Sequence, residues 1–316
     1  MSNTFLSIII PMREGFSEHW LGELLKVKGD IEFILVHPPG VNPSPVNDPR
    51  IKQIVCALRG EIIQRSTGFL NARGTYILTI NCDEYLHPEV VTLVKDYFDR
   101  FPNSWVLRLA RRGFPYGERE KLESPWPTIP DVKSLAICSR RENNSNLFKE
   151  NNYLLEAPIA PLDNPFNPSA LIGKRRDHKG PHMENFDKKV WKNELVQPAV
   201  KEITASMNVT GPIKYIPFWC LDRLLGLYIQ AKFFERGKTI GHWLPEIAEQ
   251  LRIEDNPPEY KRTKRFYFIA EVILLRNFPK YGYLWNLILA QATEVPGRAI
   301  DSLKRKLLPE KPSISK

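Results

Sequence analysis

Thr75-Tyr76-Ile77-Leu78-Thr79-Ile80 is a short apolar, β-rich run, and Asn81-Cys82-Asp83-Glu84 follows it without a break. A run with no polar face reads as a strand buried on both sides in a parallel sheet. Polar and acidic residues at its carboxyl end then stand where ligands of such sheets bind. The same signature recurs upstream. Leu6-Ser7-Ile8-Ile9-Ile10 stops at Pro11, and Ile31-Glu32-Phe33-Ile34-Leu35-Val36 stops at His37-Pro38-Pro39-Gly40. Proline donates nothing to a strand ladder, so both runs end sharply. Ile51 to Ala57 is a third strand, and Val106 to Leu109 a fifth.

Helical spacing fills the intervals. Ser17 to Val27 carries Trp20, Leu21, Leu24, Leu25 and Val27. Ile62 to Ala72 follows, with Gly74 placed to stop it. Pro88 to Phe98 has its proline in the first turn. Strand and helix alternate, which predicts an α/β fold with a doubly wound, mostly parallel sheet. Pro11, His37 and Asp83 all fall at carboxyl ends of its strands, and so mark the expected site.

The chain changes character twice. Gly113 to Pro168 is rich in Pro, Asn, Ser and Glu, and Asn143-Asn144-Ser145-Asn146 is a loop signal. From Lys188 onward the pattern is mainly helical, over Trp219 to Glu235, Phe266 to Leu275 and Tyr283 to Ala292. Three regions result: 1–112 as the ligand-binding α/β part, 113–187 as loops and the rest of that domain, and 188–316 as a helical extension.

Charge is unevenly placed. Of a net +9, residues Pro257 to Lys316 hold 12 Lys/Arg against 5 Asp/Glu, which is +7. Lys261, Arg262, Lys264 and Arg265 precede one apolar helix, and Arg298, Lys304, Arg305 and Lys306 follow the other. Such helices either lie on an anionic membrane surface or simply cover the sheet. A nucleic-acid binder is disfavoured, because zinc-ligand spacing and an RNP-type aromatic signature are both missing. A nucleotidyltransferase is disfavoured too, since no Gly-rich phosphate loop follows a strand.

Four cysteines, at 56, 82, 138 and 220, form no C-x-x-C pair, and reduced thiols in a cytosolic compartment are the simplest reading. The run Leu6 to Ile10 is too short for a signal peptide, and no apolar window is long enough to span a bilayer. A cytoplasmic protein is expected, with peripheral contact to the inner face of the membrane through its basic end.

Taken together, these motifs resemble the family 2 glycosyltransferases of the GT-A fold. Ile8-Ile9-Ile10-Pro11 is similar to the first strand of that family. Arg65-Ser66-Thr67-Gly68, with Ala72, Gly74, Tyr76 and Ile77 after it, is similar to the Arg-Asn-x-Gly helix and the strand that follows. Asn81-Cys82-Asp83-Glu84, with Leu86 and Pro88 trailing, is similar to Asp-x-Asp-Asp. Arg108-Leu109-Ala110-Arg111-Arg112-Gly113-Phe114-Pro115-Tyr116-Gly117 and Gly180-Pro181-His182-Met183-Glu184 resemble stretches of the transferases that build lipopolysaccharide core.

The resemblance implies sugar transfer from a nucleotide-sugar donor to a glycan or lipid-linked saccharide, inverting and assisted by a divalent cation, Mn or Mg, in polysaccharide biosynthesis. Pro11, Arg13, Glu14 and His37 would border the nucleoside, Arg65 would face the nucleotide or its phosphates, and Asn81 and Asp83 would complete the donor site. Asp83, with Glu84 beside it and His182 nearby, would hold the metal, since a carboxylate-bound cation neutralises a departing diphosphate. The base that deprotonates the acceptor hydroxyl would be a carboxylate. Glu184 is the first candidate, and Asp187 and Asp177 are alternatives. His178 and His182 are each as readily a polar loop residue, and Lys174-Arg175-Arg176 either binds diphosphate or is a solvated face. His37 stands where the family places an Asp that holds the base, and Asn81 replaces an Asp. Both favour the alternative of a non-catalytic relative that binds a nucleotide or glycan.

Overall fold

The computed structural model describes residues 4–13, 18–43, 45–139, 153–171, 182–208, 218–246, 248–255 and 268–292. Glu14, Asn143 to Asn146, Lys174 to Arg176, Asp177, His178 and the basic residues at 261–265 and 298–306 lie outside them.

The strands are β1 (Leu6–Pro11), β2 (Ile31–His37), β3 (Ile51–Val55), β4 (Tyr76–Thr79), β5 (Glu84–Leu86) and β6 (Val106–Arg108). There follow β7 (Arg111–Phe114), β8 (Ala136–Cys138), β9 (Tyr153–Pro158), β10 (Lys189–Lys192), β11 (Thr239–Trp243) and β12 (Leu251–Glu254). Nine of them form one sheet in the order β3-β2-β1-β4-β10-β6-β11-β9-β8, and β5, β12 and β7 form a smaller one. Five of the eight neighbouring pairs in the large sheet are parallel. The fold is therefore α/β with a mostly parallel central sheet, as expected.

The helices are α1 (Glu18–Leu24), α2 (Glu61–Asn71), α3 (Val90–Arg100), α4 (Arg119–Leu122), α5 (Asn193–Asn208), α6 (Phe218–Lys232), α7 (Phe268–Asn277) and α8 (Gly282–Ala292). They cover both faces. Successive strand side chains point to opposite sides. Ile8 and Ile10 of β1 thus join Trp20, Leu24, Val94 and Phe98 in one buried cluster. Ile9 joins the other, with Phe69, Trp191, Leu225 and Leu284.

Two glycines fix how closely α2 and β4 approach β1. A Cβ on Gly68 would collide with the Ile9 methyl Cγ2 and lie 3.3 Å from Val36 Cγ2. A Cβ on Gly74 would lie 2.6 Å from the Ser7 backbone nitrogen. The sequence places Gly74 as a helix stop, but α2 ends at Asn71 with Ala72 as its extended cap. Gly74 serves instead to let its own backbone N–H reach Ser7 Oγ at 2.7 Å.

The region beyond Lys188 has a mainly helical pattern, yet it also supplies β10, β11 and β12. These strands are only four, five and four residues long. β10 also runs straight into α5, so its period is masked by the helix that follows. β10 lies antiparallel between β4 and β6. The fifth strand therefore does not pair with the fourth, and a late segment of the chain enters the centre of the sheet.

Candidate functional site

Asn81 leaves β4, Cys82 and Asp83 turn the chain, and Glu84 opens β5. Strand alternation buries Glu84 and Leu86 on one side. The Glu84 carboxylate accepts the Asn81 backbone N–H at 3.1 Å and its Nδ2 at 2.9 Å. It also pairs with Lys188 Nζ at 2.8 Å. Burial pushes the Glu84 carboxyl above the ordinary range, and the Lys188 charge pulls it back. Asp83 faces outward and meets Arg13 Nη2 at 3.2 Å, with both side chains substantially exposed.

Arg65 lies fully buried beneath this turn. Its guanidinium donates to Glu61 at 3.0 Å, to Thr79 Oγ1 and to Asn81 Oδ1. Its Nη1 is 3.8 Å from Asp187 Oδ1. The expected phosphate-facing arginine is thus an internal tie between α2, the end of β4 and the Asp187 turn.

A cavity of about 410 Å³ opens beside that turn. His182, Glu184 and Asp187 all line it, so three of the residues singled out in the sequence come together. They differ in commitment. Glu184 is gripped by Arg223 Nη2 at 2.6 Å and by the Tyr283 hydroxyl. Arg223 in turn pairs with the buried Glu271 at 3.0 Å. His182 Nε2 shares a hydrogen bond with Tyr283 Oη at 2.9 Å and is 3.8 Å from Glu184. Both oxygens of the Glu184 carboxylate are thus occupied, Oε2 by Arg223 and Oε1 by Tyr283. Asp187 Oδ1 is buried and has no hydrogen-bond donor among the described residues. Its backbone N–H donates to Asp222 Oδ1 at 2.6 Å, and its carbonyl oxygen accepts from Lys189 Nζ at 3.0 Å.

Across the cavity wall runs a transverse row. Lys189 of β10 is in register with Arg108 of β6, and Arg108 with Trp243 of β11. The Arg108 guanidinium stacks 3.5 Å from the Trp243 ring centroid. Burial pushes the Lys189 amine down to about 8, against the pull of Asp222. Burial and the nearby Asp187 charge push Asp222 up.

The expected metal ligands do not converge. Among the described residues no group of three or more His, Cys, Asp or Glu side chains is gathered as a metal site. Glu84 is turned inward onto Lys188, and His182 onto Tyr283. Asp83 is left as the outward carboxylate. That fits a magnesium-type ion held by one carboxylate together with substrate phosphates, and does not fit an all-protein cage.

Pro11 and His37 occupy the carboxyl ends of β1 and β2, as expected. His37 is buried, with Nε2 sharing a hydrogen bond with Gln53 Oε1 at 2.9 Å, and burial lowers its pKa. Its Nδ1 has no hydrogen-bond partner among the described residues. Sequence reasoning missed Lys188, Lys189, Asp222 and Trp243. Lys188 sits at φ 59, a strained backbone that no local pattern announces. Arg108 belongs to a motif that by itself implies no role for it.

No family model matches the chain, and no curated protein matches it either. Among solved structures, S. aureus TarS residues 1–349 superposes with a TM-score of 0.52 at 14% identity, covering 96% of this chain and 76% of that one. The same fragment in complex with UDP-GlcNAc superposes with 0.52 at 11% identity, covering 97% and 76%. Against TarS as a whole the TM-score is again 0.52, and this chain spans 46% of it. The likeness is one of fold.

Proposed function

We propose that the protein is a glycosyltransferase that uses a nucleotide-sugar donor and delivers the sugar to a glycan or lipid-linked saccharide. One observation carries this reading: buried Arg65 ties the Asn81 end of β4 to Asp187, whose Oδ1 faces no hydrogen-bond donor among the described residues and lines a cavity on the carboxyl edge of the sheet. Donor-edge residues and a candidate base are thus held in one rigid unit. The TarS fragment has been solved with UDP-GlcNAc, which makes UDP-sugars the first donors to try.

The chemistry assigned is a single in-line displacement with inversion. The acceptor hydroxyl oxygen bonds to the anomeric carbon as the bond from that carbon to the diphosphate oxygen breaks. The diphosphate leaves with the electron pair, and Asp187 Oδ1 takes the hydroxyl proton. Asp187 replaces Glu184 in this role, because Arg223 and Tyr283 already occupy the Glu184 carboxylate. A divalent cation held by Asp83 with the donor's phosphates would supply charge neutralisation at the leaving group. Pro11, Arg13 and His37 would border the nucleoside.

Exposed Ile269, Val272 and Arg276 share one face of α7, and the chain from Pro257 onward carries +7. Both support peripheral contact with an anionic membrane surface. No described helix is long and apolar enough to cross a membrane. A second reading, binding without turnover, draws on the Arg13–Asp83 and Lys188–Glu84 pairs, which neutralise the acidic turn from within.

Calorimetric titration with UDP-GlcNAc, UDP-glucose, UDP-galactose and GDP-mannose, with and without manganese, tests the proposal. Binding of one nucleotide class is expected. If none binds under either condition, the transferase reading fails.

A further inference from the structure

The segment 183–187 carries both Glu184 and Asp187 and is neither helix nor strand. With no ladder of its own, its backbone groups need other partners. Helix α6 supplies them. At one end Gln230 Nε2 donates to the Met183 carbonyl at 2.7 Å. At the other end the Asp222 carbonyl accepts the Phe186 N–H at 3.0 Å, and Asp222 Oδ1 accepts the Asp187 N–H at 2.6 Å. Gly226 stands between them. A Cβ there would collide with the Glu184 carbonyl oxygen and lie 2.9 Å from the Asn185 carbonyl carbon. Glycine therefore lets the helix touch the backbone of the segment.

Asp222, Gly226 and Gln230 are spaced by four residues, so they share one face of the helix. All three are buried. The lengths match as well. Eight residues of helix rise about 12 Å, and four steps of extended chain cover about 13 Å. The segment thus lies antiparallel along α6 and is tied at both ends. Its two carboxylates are held differently. Arg223, next to Asp222, grips the Glu184 side chain at 2.6 Å. Asp187 is held by its main chain, with its N–H on Asp222 and its carbonyl on Lys189 Nζ.

We propose that Asp222 is a positioning residue: it fixes the Asp187 carboxylate at the cavity through the Asp187 backbone, while Gly226 and Gln230 set where the segment lies along α6. The inference rests on the transferase reading, in which Asp187 takes the acceptor proton, and deepens it. Asp222 also lines the cavity, so the test must separate positioning from a direct part in proton transfer and from simple support of the fold.

The assay is nucleotide release from UDP-GlcNAc by the full chain with manganese. With water as acceptor, its oxygen bonds to the anomeric carbon, the bond to the diphosphate oxygen breaks, and Asp187 takes the proton. Asp222→Ala should lower kcat about 100-fold, the scale of a reacting group displaced by about 1 Å. KM for the donor should stay within about twofold, because the donor edge is untouched. Asp222→Asn keeps an oxygen for the Asp187 N–H and cannot serve as a base, so it should recover kcat to within about threefold of the unaltered chain. In an Asp187→Asn background, Asp222→Ala should cost less than about twofold more, since residues that act as a unit are not additive. Equal losses in both backgrounds would mark Asp222 as mere support and overturn the proposal. Equal losses in Asp222→Ala and Asp222→Asn would assign Asp222 to proton transfer and overturn it too. Should Asp222→Ala fail to fold, Gly226→Ala puts the same question by pushing on the Glu184 carbonyl: kcat should fall, and an unchanged kcat would overturn the role of α6. A chain that binds the donor and releases no nucleotide would favour binding without turnover and leave Asp222 no base to position. Failure to bind any nucleotide sugar sinks the transferase reading itself.

Discussion

Nη1 of Arg65 stands 3.8 Å from Oδ1 of Asp187, an ion pair between α2 and a turn that precedes a strand entering the sheet from much later in the chain. The contact is electrostatic and not a hydrogen bond, so the carboxylate keeps a lone pair for a substrate proton while the guanidinium holds it in place. Asp187→Asn should lower the transfer rate by a factor of about 100 or more, the usual scale for a general base. Donor affinity should stay within about threefold, because the amide keeps the shape of the side chain. A kinetic assay beside a binding titration checks the split. A loss of donor affinity equal to the loss of rate would assign Asp187 to binding.

Asp83→Ala should weaken UDP-sugar binding by about 2 kcal/mol in the presence of manganese, the scale of a charged ligand contact. Without manganese the change should be small or reversed, since Arg13 loses its carboxylate partner and would then face the phosphates. Identical losses with and without the metal would remove Asp83 from metal binding.

Lys188→Ala should destabilise the fold by about 3 kcal/mol, because removing one partner of a buried ion pair strands the other. Glu84 is 1% exposed, and among the described residues only the Asn81 backbone and side-chain donors would remain to it. Glu84→Gln should cost less, since an amide needs no counter-charge. Urea denaturation of the two variants gives the order, and a milder effect for Lys188→Ala would contradict it.

Gly68→Ala pits helix propensity against packing. Alanine favours a helix by about 1 kcal/mol over glycine, while forcing a methyl into a filled core costs about 1–3 kcal/mol. Packing should win here, because the new Cβ meets a methyl of Ile9, a stiff β-branched residue in a central strand. A lowered midpoint in thermal unfolding is expected, and an unchanged or raised one would show that α2 can slide.

His242 is buried, with Nδ1 sharing a hydrogen bond with Tyr97 Oη at 2.8 Å. Burial and the Arg100 charge lower its pKa from 6.5 to about 4. The unfolded chain therefore binds a proton that the folded one refuses between these values. The stability contributed by neutral His242 is fully present above 6.5 and is lost as the pH falls toward about 4. His242→Gln should flatten the pH dependence of the unfolding free energy over that window. An unaltered slope would point to other groups.

The first four strands and their helices were legible because each is local: an apolar run, a proline stop, a helical spacing. Asp187 and His182 were found as polar residues in a plausible place, and their neighbours were not. Asp222 lies in a helix whose pattern reads as ordinary core, and Trp243 in a five-residue strand. Their significance comes from register across β10, β6 and β11, which no single stretch encodes. Glu84 misled for the opposite reason. Its motif is local, but the cation that claims it, Lys188, arrives from the far side of the chain.

The late insertion of β10 also bears on how the chain can be made. β4 and β6 are complete once Arg108 has been synthesised, yet the edges they turn toward each other have no partner until Lys189–Lys192 emerges from the ribosome. A nascent or truncated chain ending before Lys189 would carry one raw edge on β4 and two on β6, whose neighbours β10 and β11 both come later, and exposed edges recruit other strands. The amino-terminal α/β part is therefore not a unit that can be cut free. The segment that closes the sheet is the one that delivers Asp187, Lys188 and Lys189, so the site cannot form before the fold is finished.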